Sequence, residues 1–248
     1  MIFEYPEKLL DFAKEVTDVG RNDRDAKDRL VDWIISSGYA PFLKIDLTFD
    51  HKQAMREVMA VEQADLIVPY STRYNGIMKD PSRGWQATAL FGVAAKHPQN
   101  PISDLSSYDT VAPTNVWTES ADLMPYFCNF VQENVGEVKR MVMLKFPPGG
   151  FVPPHRDYGI DASLDDYKLS QVNFHIQWPA GSVWYMEDAE NGVHATENGT
   201  VTMHSFYHKH AVVNDNLDTD RYFAYGFFNY HESFKDKIIQ SFTKYVTG

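Results

Sequence analysis

The stretch QVNFHIQW, residues 171–178, alternates polar and apolar side chains along its whole length. The even positions are the apolar Val172, Phe174, Ile176 and Trp178, and the odd positions are the polar Gln171, Asn173, His175 and Gln177. Because successive side chains of a strand point to opposite faces, this pattern predicts a strand with one packed face. Its other face lines a polar cavity or meets water.

Short strand-like runs surround this stretch from residue 137 onward, separated by Gly, Pro, Asn and Asp; they are VKRMVMLKF, GSVWYMED, GTVTMHSF and RYFAYGFFNY. Such a series predicts a β-sandwich or barrel. Upstream, FLKIDLTF alternates as a strand, but helical periodicity dominates in DRDAKDRLVDWIISSG, DHKQAMREVMAVEQAD and SADLMPYFCNFVQENVG. The last of these is predicted as one long helix ending at Gly136. We therefore predict an α+β fold in which helices buttress a β-barrel or jelly roll.

The chain of 248 residues, 44% hydrophobic and 23% charged, is long enough to form one large domain. We expect a single domain over residues 1–248. Within it, residues 1–136 form a helix-rich buttress with substrate-side strands, residues 137–232 the barrel core with the functional site, and residues 233–248 a C-terminal helix.

Charge and targeting signals narrow the class of partner. The formal net charge of −11 argues against nucleic acid, whose binding needs clustered Lys and Arg. No basic run indicates a membrane surface, and no apolar run reaches the roughly 18 residues of a membrane span. The start MIFEYPEKLLDF lacks the pattern of a signal peptide, so we expect a cytoplasmic protein. The one cysteine, Cys128, is interpreted as a buried structural thiol.

The segment FPPGGFVPPHRDYG, residues 146–159, ends a rigid turn with His155 and Asp157. In an extended chain these two side chains point to the same side and can converge on one metal ion. A second histidine would complete the two-histidine, one-carboxylate triad typical of non-heme iron oxygenases. The candidates, His204, His208 and His210, share strand parity, so alternation alone does not separate them.

The motifs PPGGFVPPHRD, NFHIQW and HAVVNDNLDTDR resemble the Fe(II)/2-oxoglutarate dioxygenases, in particular the aspartyl/asparaginyl β-hydroxylase-like branch, which includes hydroxylases of free amino acids. The likeness covers roughly residues 140–232. It implies a double-stranded β-helix, a jelly-roll or cupin-like barrel, with Fe(II) held by His155, Asp157 and His210. His210 is favoured because it opens HAVVN at the expected spacing to Arg221; His208 is the alternative, and His204 is interpreted as a supporting or packing residue.

The resemblance also implies that 2-oxoglutarate is bound. Arg221 would hold its distal carboxylate, for which a planar bidentate cation is suited, and His175 would be a second contact. The alternatives are a surface ion pair of Arg221 with Asp218 or Asp220, and an ordinary hydrogen-bonded interior role for His175. The next candidates for this anchor are Lys145 and Arg140.

The implied reaction is hydroxylation of a small amino-acid-like substrate, free or within a short peptide. Dioxygen is consumed, succinate and CO2 are released, and a ferryl oxidant abstracts hydrogen before hydroxyl rebound. Because Asp157 fills the position that halogenating relatives leave for chloride, hydroxylation is favoured. RGWQATALFG is similar to the family's substrate-side strand. Candidate substrate contacts, each of which could instead be a surface residue, are Arg73, Arg83, Trp85 and Tyr158.

Two other functions stay open from the sequence. One is a cupin-like metal-dependent isomerase, lyase or 2-oxoglutarate-independent dioxygenase. Such an enzyme binds no 2-oxoglutarate, so it would not need Arg221 to hold a distal carboxylate. The other is a non-catalytic jelly-roll binding module. Iron-dependent release of succinate distinguishes both from the hydroxylase.

Overall fold

The computed structural model describes residues 24–36, 40–70, 84–92, 94–96, 116–155, 171–187, 192–204 and 208–247. The helices are α1 (Arg24–Ser36), α2 (His51–Gln63), α3 (Glu119–Asp122), α4 (Pro125–Asn134) and α5 (Glu232–Thr247). The strands of the first half are β1 (Phe42–Thr48), β2 (Val68–Pro69), β3 (Gln86–Gly92), β4 (Val116–Trp117), β5 (Gly136–Phe146) and β6 (Phe151–His155). Those of the second half are β7 (Val172–Gln177), β8 (Ser182–Met186), β9 (Val193–His194), β10 (Thr200–His204), β11 (His210–Asn214) and β12 (Arg221–Tyr230).

The strands form two antiparallel sheets. The large sheet has the order β1-β10-β7-β12-β5-β3-β2, with β4 paired to β3, and the small sheet has the order β6-β11-β8-β9. Side chains of both sheets meet in one buried cluster, as Trp184 and Val212 of the small sheet do with Leu144 and Phe223 of the large one. The small sheet therefore lies against one face of the large sheet, as in the barrel predicted from the sequence.

The helices cover the opposite face of the large sheet. Val172, Phe174 and Ile176 of β7 pack in the same buried cluster as apolar residues of α2, α4 and α5. Asn173 and His175 are also fully buried but point the other way, toward the small sheet, as their hydrogen bonds to interior residues of β10 show. The alternation of this strand is confirmed, and its polar face lines the barrel interior.

Trp178 departs from the expected pattern. It was predicted on the packed face, but it joins the interior cluster, and its ring centre lies 4.9 Å from that of His175. The strand ends at Gln177, and the pairing of β7 with β12 shifts register at this end, so the alternation no longer fixes the side of residue 178.

The long helix predicted over SADLMPYFCNFVQENVG is in fact two helices, α3 and α4. The break lies at Leu123 and Met124, just before Pro125, which disfavours helical geometry in the preceding residue; Met124 has φ −122° and ψ 49°. The helical stretch stops at Asn134, and Gly136 begins β5. Below the break, the buried Glu57 carboxylate accepts hydrogen bonds from the backbone N–H groups of Tyr126 (2.8 Å) and Phe127 (3.1 Å), which ties α2 to the start of α4.

Cys128 lies on α4 with 5% of its surface exposed, as predicted for a structural thiol. Burial raises the pKa of the thiol to about 12, so it stays protonated at neutral pH. Across the described ranges, none of the helices has both the length and the apolar character needed to cross a bilayer.

Candidate metal and carboxylate site

Two of the predicted metal ligands lie side by side in the barrel. His155 is the last residue of β6, His210 is the first residue of β11, and the two are paired across the small sheet. Their ring centres are 4.4 Å apart. Fifty-four residues separate them in the sequence, so the antiparallel pairing of β6 and β11 is what brings them together.

The orientation of both imidazoles suits metal binding. The Nδ1 of His155 is 2.8 Å from the carbonyl oxygen of Pro153, and the Nδ1 of His210 is 3.4 Å from that of His208. A carbonyl can only accept, so Nδ1 is the donor in each contact, and Nε2 is the nitrogen that can bind a metal when the ring is neutral. A neutral imidazole fixed in this way is a prepared metal ligand.

The third predicted ligand, Asp157, lies outside the described residues. Within the described ranges, no group of three His, Cys, Asp or Glu side chains is arranged to hold a metal ion. His204 lies close by, with its ring centre 4.8 Å from that of His210, but its Nδ1 contacts Asn173 Nδ2 at 3.0 Å. His208 contributes its backbone carbonyl to the orientation of His210.

Arg221 begins β12 and is completely buried inside the barrel. Its Nη1 donates to the carbonyl oxygens of Val183 and Val213, each at 3.2 Å, and its guanidinium carbon lies 3.8 Å from the centre of the Trp178 ring. Its Nε and Nη2 are buried and have no hydrogen-bond partner within the described part of the chain. Burial holds the pKa of the guanidinium well below its usual range, because no described carboxylate balances the charge.

His175 adds a third buried polar atom without a described partner at this end of the barrel. Its Nε2 is 2.8 Å from Thr202 Oγ1, whereas its buried Nδ1 has no partner among the described residues. Burial, followed by the charges of Arg221 and His204, holds the pKa of His175 well below its usual value, so the ring is neutral at pH 7. Orphaned buried donors are rare in folded proteins and need an explanation.

The alternative role for Arg221, a surface ion pair, does not fit its burial. Asp220 instead pairs with Lys145 at 3.1 Å on the helix-facing side of the sheet, where Lys145 also contacts Glu62 of α2. The same arrangement argues against Lys145 as the carboxylate anchor. Arg140 lies on the interior side, but it is paired with Phe227, six residues beyond Arg221 along β12.

A pocket of about 230 Å³ opens beside the paired histidines. Both histidines line it, together with Tyr70, Trp85, Gln171, Trp184, Phe223 and Tyr225. Trp85, a predicted substrate contact, therefore lies in the pocket wall, where it stacks on Phe146 at 6.3 Å. The other predicted substrate contacts, Arg73, Arg83 and Tyr158, lie outside the described residues.

Several pocket residues were missed in the sequence. Tyr225 follows Arg221 by four residues on the same strand, so strand parity alone places it on the same interior face as Arg221. Trp184 belongs to a recognised strand, but its side could not be assigned without the pairing of β8 with β11. Gln171 belongs to the polar face predicted for QVNFHIQW, but the sequence did not mark it as a pocket residue. Tyr70 carries no signal of its own, because it lies just beyond the two-residue strand β2.

No protein family model matches this sequence, and no curated protein does. Among solved structures, the chain is similar to a prolyl hydroxylase from Trichoplax adhaerens, in complex with a peptide fragment of the hypoxia inducible factor oxygen degradation domain. The TM-score is 0.50 at 12% identity, over 86% of this chain and 94% of that chain. A Pseudomonas putida prolyl-4-hydroxylase gives a TM-score of 0.44 at 16% identity, over 82% of this chain and 97% of that chain.

The first of these likenesses shows that the fold is shared. The chain has a double-stranded β-helix with a few flanking helices, as the sequence predicts. Placement in the aspartyl/asparaginyl β-hydroxylase-like branch has no support from these likenesses and stays a prediction.

Proposed function

We propose that this protein is an Fe(II)- and 2-oxoglutarate-dependent hydroxylase of a small amino-acid-like substrate. The observation that carries the proposal is Arg221, a fully buried cation in the same barrel as the paired histidines, with two N–H groups that have no partner among the described residues. A buried cation without a counter-ion is costly for a fold, so its place here is best explained by an anionic ligand.

The metal would be held by His155, His210 and Asp157. The geometry of the two histidines supports their part in this set, because each Nδ1 contacts a backbone carbonyl and the two ring centres lie 4.4 Å apart. His210 is preferred to His208 because its ring, not only its backbone, lies beside His155. Two histidines and a carboxylate leave open positions on a metal ion, as an oxygenase site requires.

The iron and 2-oxoglutarate, when bound, supply the oxidising chemistry that inserts an oxygen atom into a C–H bond. Arg221 would bind the distal carboxylate of 2-oxoglutarate through Nε and Nη2, a charge-assisted bidentate contact. When Thr202 donates to His175 Nε2, the His175 Nδ1 carries a proton and can donate to the same carboxylate.

The aromatic walls would keep water away from the reacting groups. Trp178 covers one face of the Arg221 guanidinium, and the centre of the Phe223 ring lies 5.3 Å from the guanidinium carbon. Trp184 stacks beside His210, with ring centres 6.1 Å apart. In such a low-dielectric surrounding, the contact between Arg221 and a carboxylate is stronger than it would be in water.

The substrate would occupy the pocket beside the histidines, with Trp85 in its wall. Arg73, Arg83 and Tyr158 are proposed as further contacts from the sequence alone. The prolyl hydroxylase from Trichoplax adhaerens, which shares the fold, acts on an amino-acid residue, in line with an amino-acid-like substrate here. The pocket volume suits a small ligand.

The test is incubation of the protein with Fe(II), ascorbate and 2-oxoglutarate against a panel of free amino acids and short peptides. Mass spectrometry should detect succinate and a product heavier by one oxygen atom. His155→Ala and Asp157→Ala should each bind less than one Mn(II) per chain by calorimetry and abolish turnover. His231→Ala, which removes an exposed histidine, is the matched control and should retain both.

Two outcomes would contradict the proposal. Full turnover in His155→Ala or Asp157→Ala would remove that residue from the metal site. Metal binding without succinate under any condition would instead favour the 2-oxoglutarate-independent cupin-like alternative.

A further inference from the structure

We propose that Gln171 binds the backbone N–H and C=O groups of the substrate residue, so that the enzyme acts on an amino-acid residue within a peptide in preference to the free zwitterionic amino acid. This inference rests on the proposed function, because it names the substrate class of the same pocket. Gln171 has no part in binding the metal or the cosubstrate.

Gln171 lies in the wall of the pocket that contains His155 and His210. It immediately precedes β7 and shares the parity of Asn173 and His175, whose side chains point into the barrel. Its side chain is half-buried. The pocket lining and the alternation of the strand therefore agree that Gln171 lies on the interior side, where a ligand can reach it.

The polar residues of β7 mark successive levels of the barrel. His175 lies near the Arg221 end, because it pairs with Phe223, two residues beyond Arg221 in β12. Asn173 lies nearer the paired histidines, because its Nδ2 is 3.0 Å from the Nδ1 of His204. The direction from residue 175 to residue 173 therefore leads from the proposed carboxylate site toward the proposed metal site.

Gln171 extends this series beyond the metal site. The ring centre of His204 lies 4.8 Å from that of His210, which places Asn173 near the level of the proposed metal. At about 3.3 Å per residue, the backbone of Gln171 is roughly 7 Å further along the strand, away from Arg221. A cosubstrate that spans Arg221 and the metal would leave the Gln171 side of the pocket to the substrate.

The carboxamide of Gln171 is available to a ligand. It forms no hydrogen bond with another described residue, whereas the hydroxyl groups of Tyr70 and Tyr225 in the same wall are hydrogen-bonded to each other at 2.9 Å. A glutamine carboxamide carries two donors on Nε2 and an acceptor at Oε1. The N–H and C=O groups of one extended residue point to the same side, so Gln171 can accept from the first and donate to the second.

The wall around Gln171 favours a ligand without charged ends. Aromatic and aliphatic side chains form much of the described lining, among them Trp85, Leu144, Val152 and Phe223. An ammonium or a carboxylate removed from water needs a counter-ion, which Gln171 does not supply, whereas an amide needs only hydrogen bonds. Gln171 therefore matches a residue whose amino and carboxyl groups are both in peptide bonds.

The experiment measures binding by calorimetry to the full chain loaded with Mn(II), with and without 2-oxoglutarate. The probes are the free L-amino acids and their N-acetyl N′-methylamides, which replace both charged ends with amides. At least one capped residue should bind the wild type about 10-fold or more tightly than the free amino acid. Gln171→Leu should weaken binding of that capped residue about 10-fold, through loss of two neutral hydrogen bonds.

Gln171→Glu gives a readout that a merely structural role would not produce. Glutamate has nearly the same size but accepts without donating, and its charge pairs with an ammonium. The variant should bind the capped residue about 10-fold more weakly than the wild type and the free amino acid more tightly. If Gln171→Leu does not fold, this variant decides. Gln63→Leu, at an exposed glutamine that ends α2, is the matched control and should bind every probe as the wild type does.

The inference is overturned if no capped residue binds the wild type more tightly than its free amino acid. It is also overturned if folded Gln171→Leu or Gln171→Glu keeps the wild-type affinity for the preferred capped residue.

The same titrations separate this inference from the proposed function. A wild type that binds 2-oxoglutarate and forms succinate, but prefers free amino acids, would contradict the role of Gln171 and leave the hydroxylase in place. A wild type that binds capped residues through Gln171, but does not bind 2-oxoglutarate, would contradict the hydroxylase and leave the Gln171 site in place.

Discussion

Arg221 and Lys145 are two cations at the same end of the large sheet, on adjacent pairs of strands β5 and β12 but on opposite faces. Lys145 faces the helices and lies between the carboxylates of Glu62 and Asp220, which also accept hydrogen bonds from the Tyr222 hydroxyl. Arg221 faces the barrel interior, and no described carboxylate pairs with it. The compensated cation is part of the fold, whereas the uncompensated one is prepared for a ligand.

The pKa values of the two groups express the same difference. Burial opposes the charge on Lys145, but its hydrogen bonds to Glu62 and Asp220 outweigh this effect and raise its pKa. For Arg221, burial acts without such compensation and the pKa falls. An anion bound in the barrel would supply the counter-charge to Arg221 that Glu62 and Asp220 supply to Lys145.

The largest effect is expected when Arg221 is given a permanent counter-ion. His175→Glu would place a carboxylate beside Arg221, where it would pair with the N–H groups that have no partner in the described part of the chain. We expect 2-oxoglutarate affinity, measured by calorimetry on Mn(II)-loaded protein, to fall about 100-fold or more. His175→Gln is the control, because it keeps the size of the side chain without the charge. Equal losses in both variants would mean that Arg221 is not the group being blocked.

A smaller effect is expected when the compensated cation is removed. Lys145→Met would leave Glu62 and Asp220 facing one another without a cation, and should lower the free energy of unfolding by about 1 to 3 kcal/mol. Urea denaturation measures this loss. Lys139→Met, which breaks a surface ion pair with Glu137 on the same strand, should cost less than about 1 kcal/mol. A loss of 2-oxoglutarate affinity in Lys145→Met would contradict its purely structural role.

The smallest effect concerns His175 and pH. Since its pKa in the folded protein is depressed by burial, the unfolded chain takes up a proton below about pH 6.5 that the folded chain does not. Its contribution to stability is therefore complete above that pH and falls by about 1.4 kcal/mol for each pH unit below it. His175→Asn should show a shallower decline than wild type in urea denaturation between pH 7.5 and 5.5. Identical slopes would show that His175 titrates normally.

The sequence predicted the strands with strong alternation and the residues that a motif marks. The strand QVNFHIQW was predicted because period-2 patterning survives in a sheet whose two faces differ. His155 and His210 were proposed as ligands from motifs that resemble a known family, and their pairing across the small sheet was not predicted. The predicted long helix was wrong at Pro125, where a local backbone restriction overrides the helical pattern of side chains.

What the sequence did not reveal depends on pairing between distant strands. The compensation of Lys145 by Glu62 needs α2 to lie across the large sheet, and the link between Tyr70 and Tyr225 joins residues 155 positions apart. Trp178 was placed on the wrong face because the strand ends one residue before it. Such contacts are fixed by register and packing, which composition and spacing do not record.

The most direct test compares Arg221→Met with Lys145→Met in calorimetric titrations of Mn(II)-loaded protein with 2-oxoglutarate. Loss of a charged bidentate contact should weaken binding by about 2 to 4 kcal/mol, or roughly 30- to 1000-fold, in Arg221→Met. Lys145→Met should bind 2-oxoglutarate as the wild type does. Unchanged affinity in a folded Arg221→Met protein would contradict the claim that the uncompensated arginine is the carboxylate site.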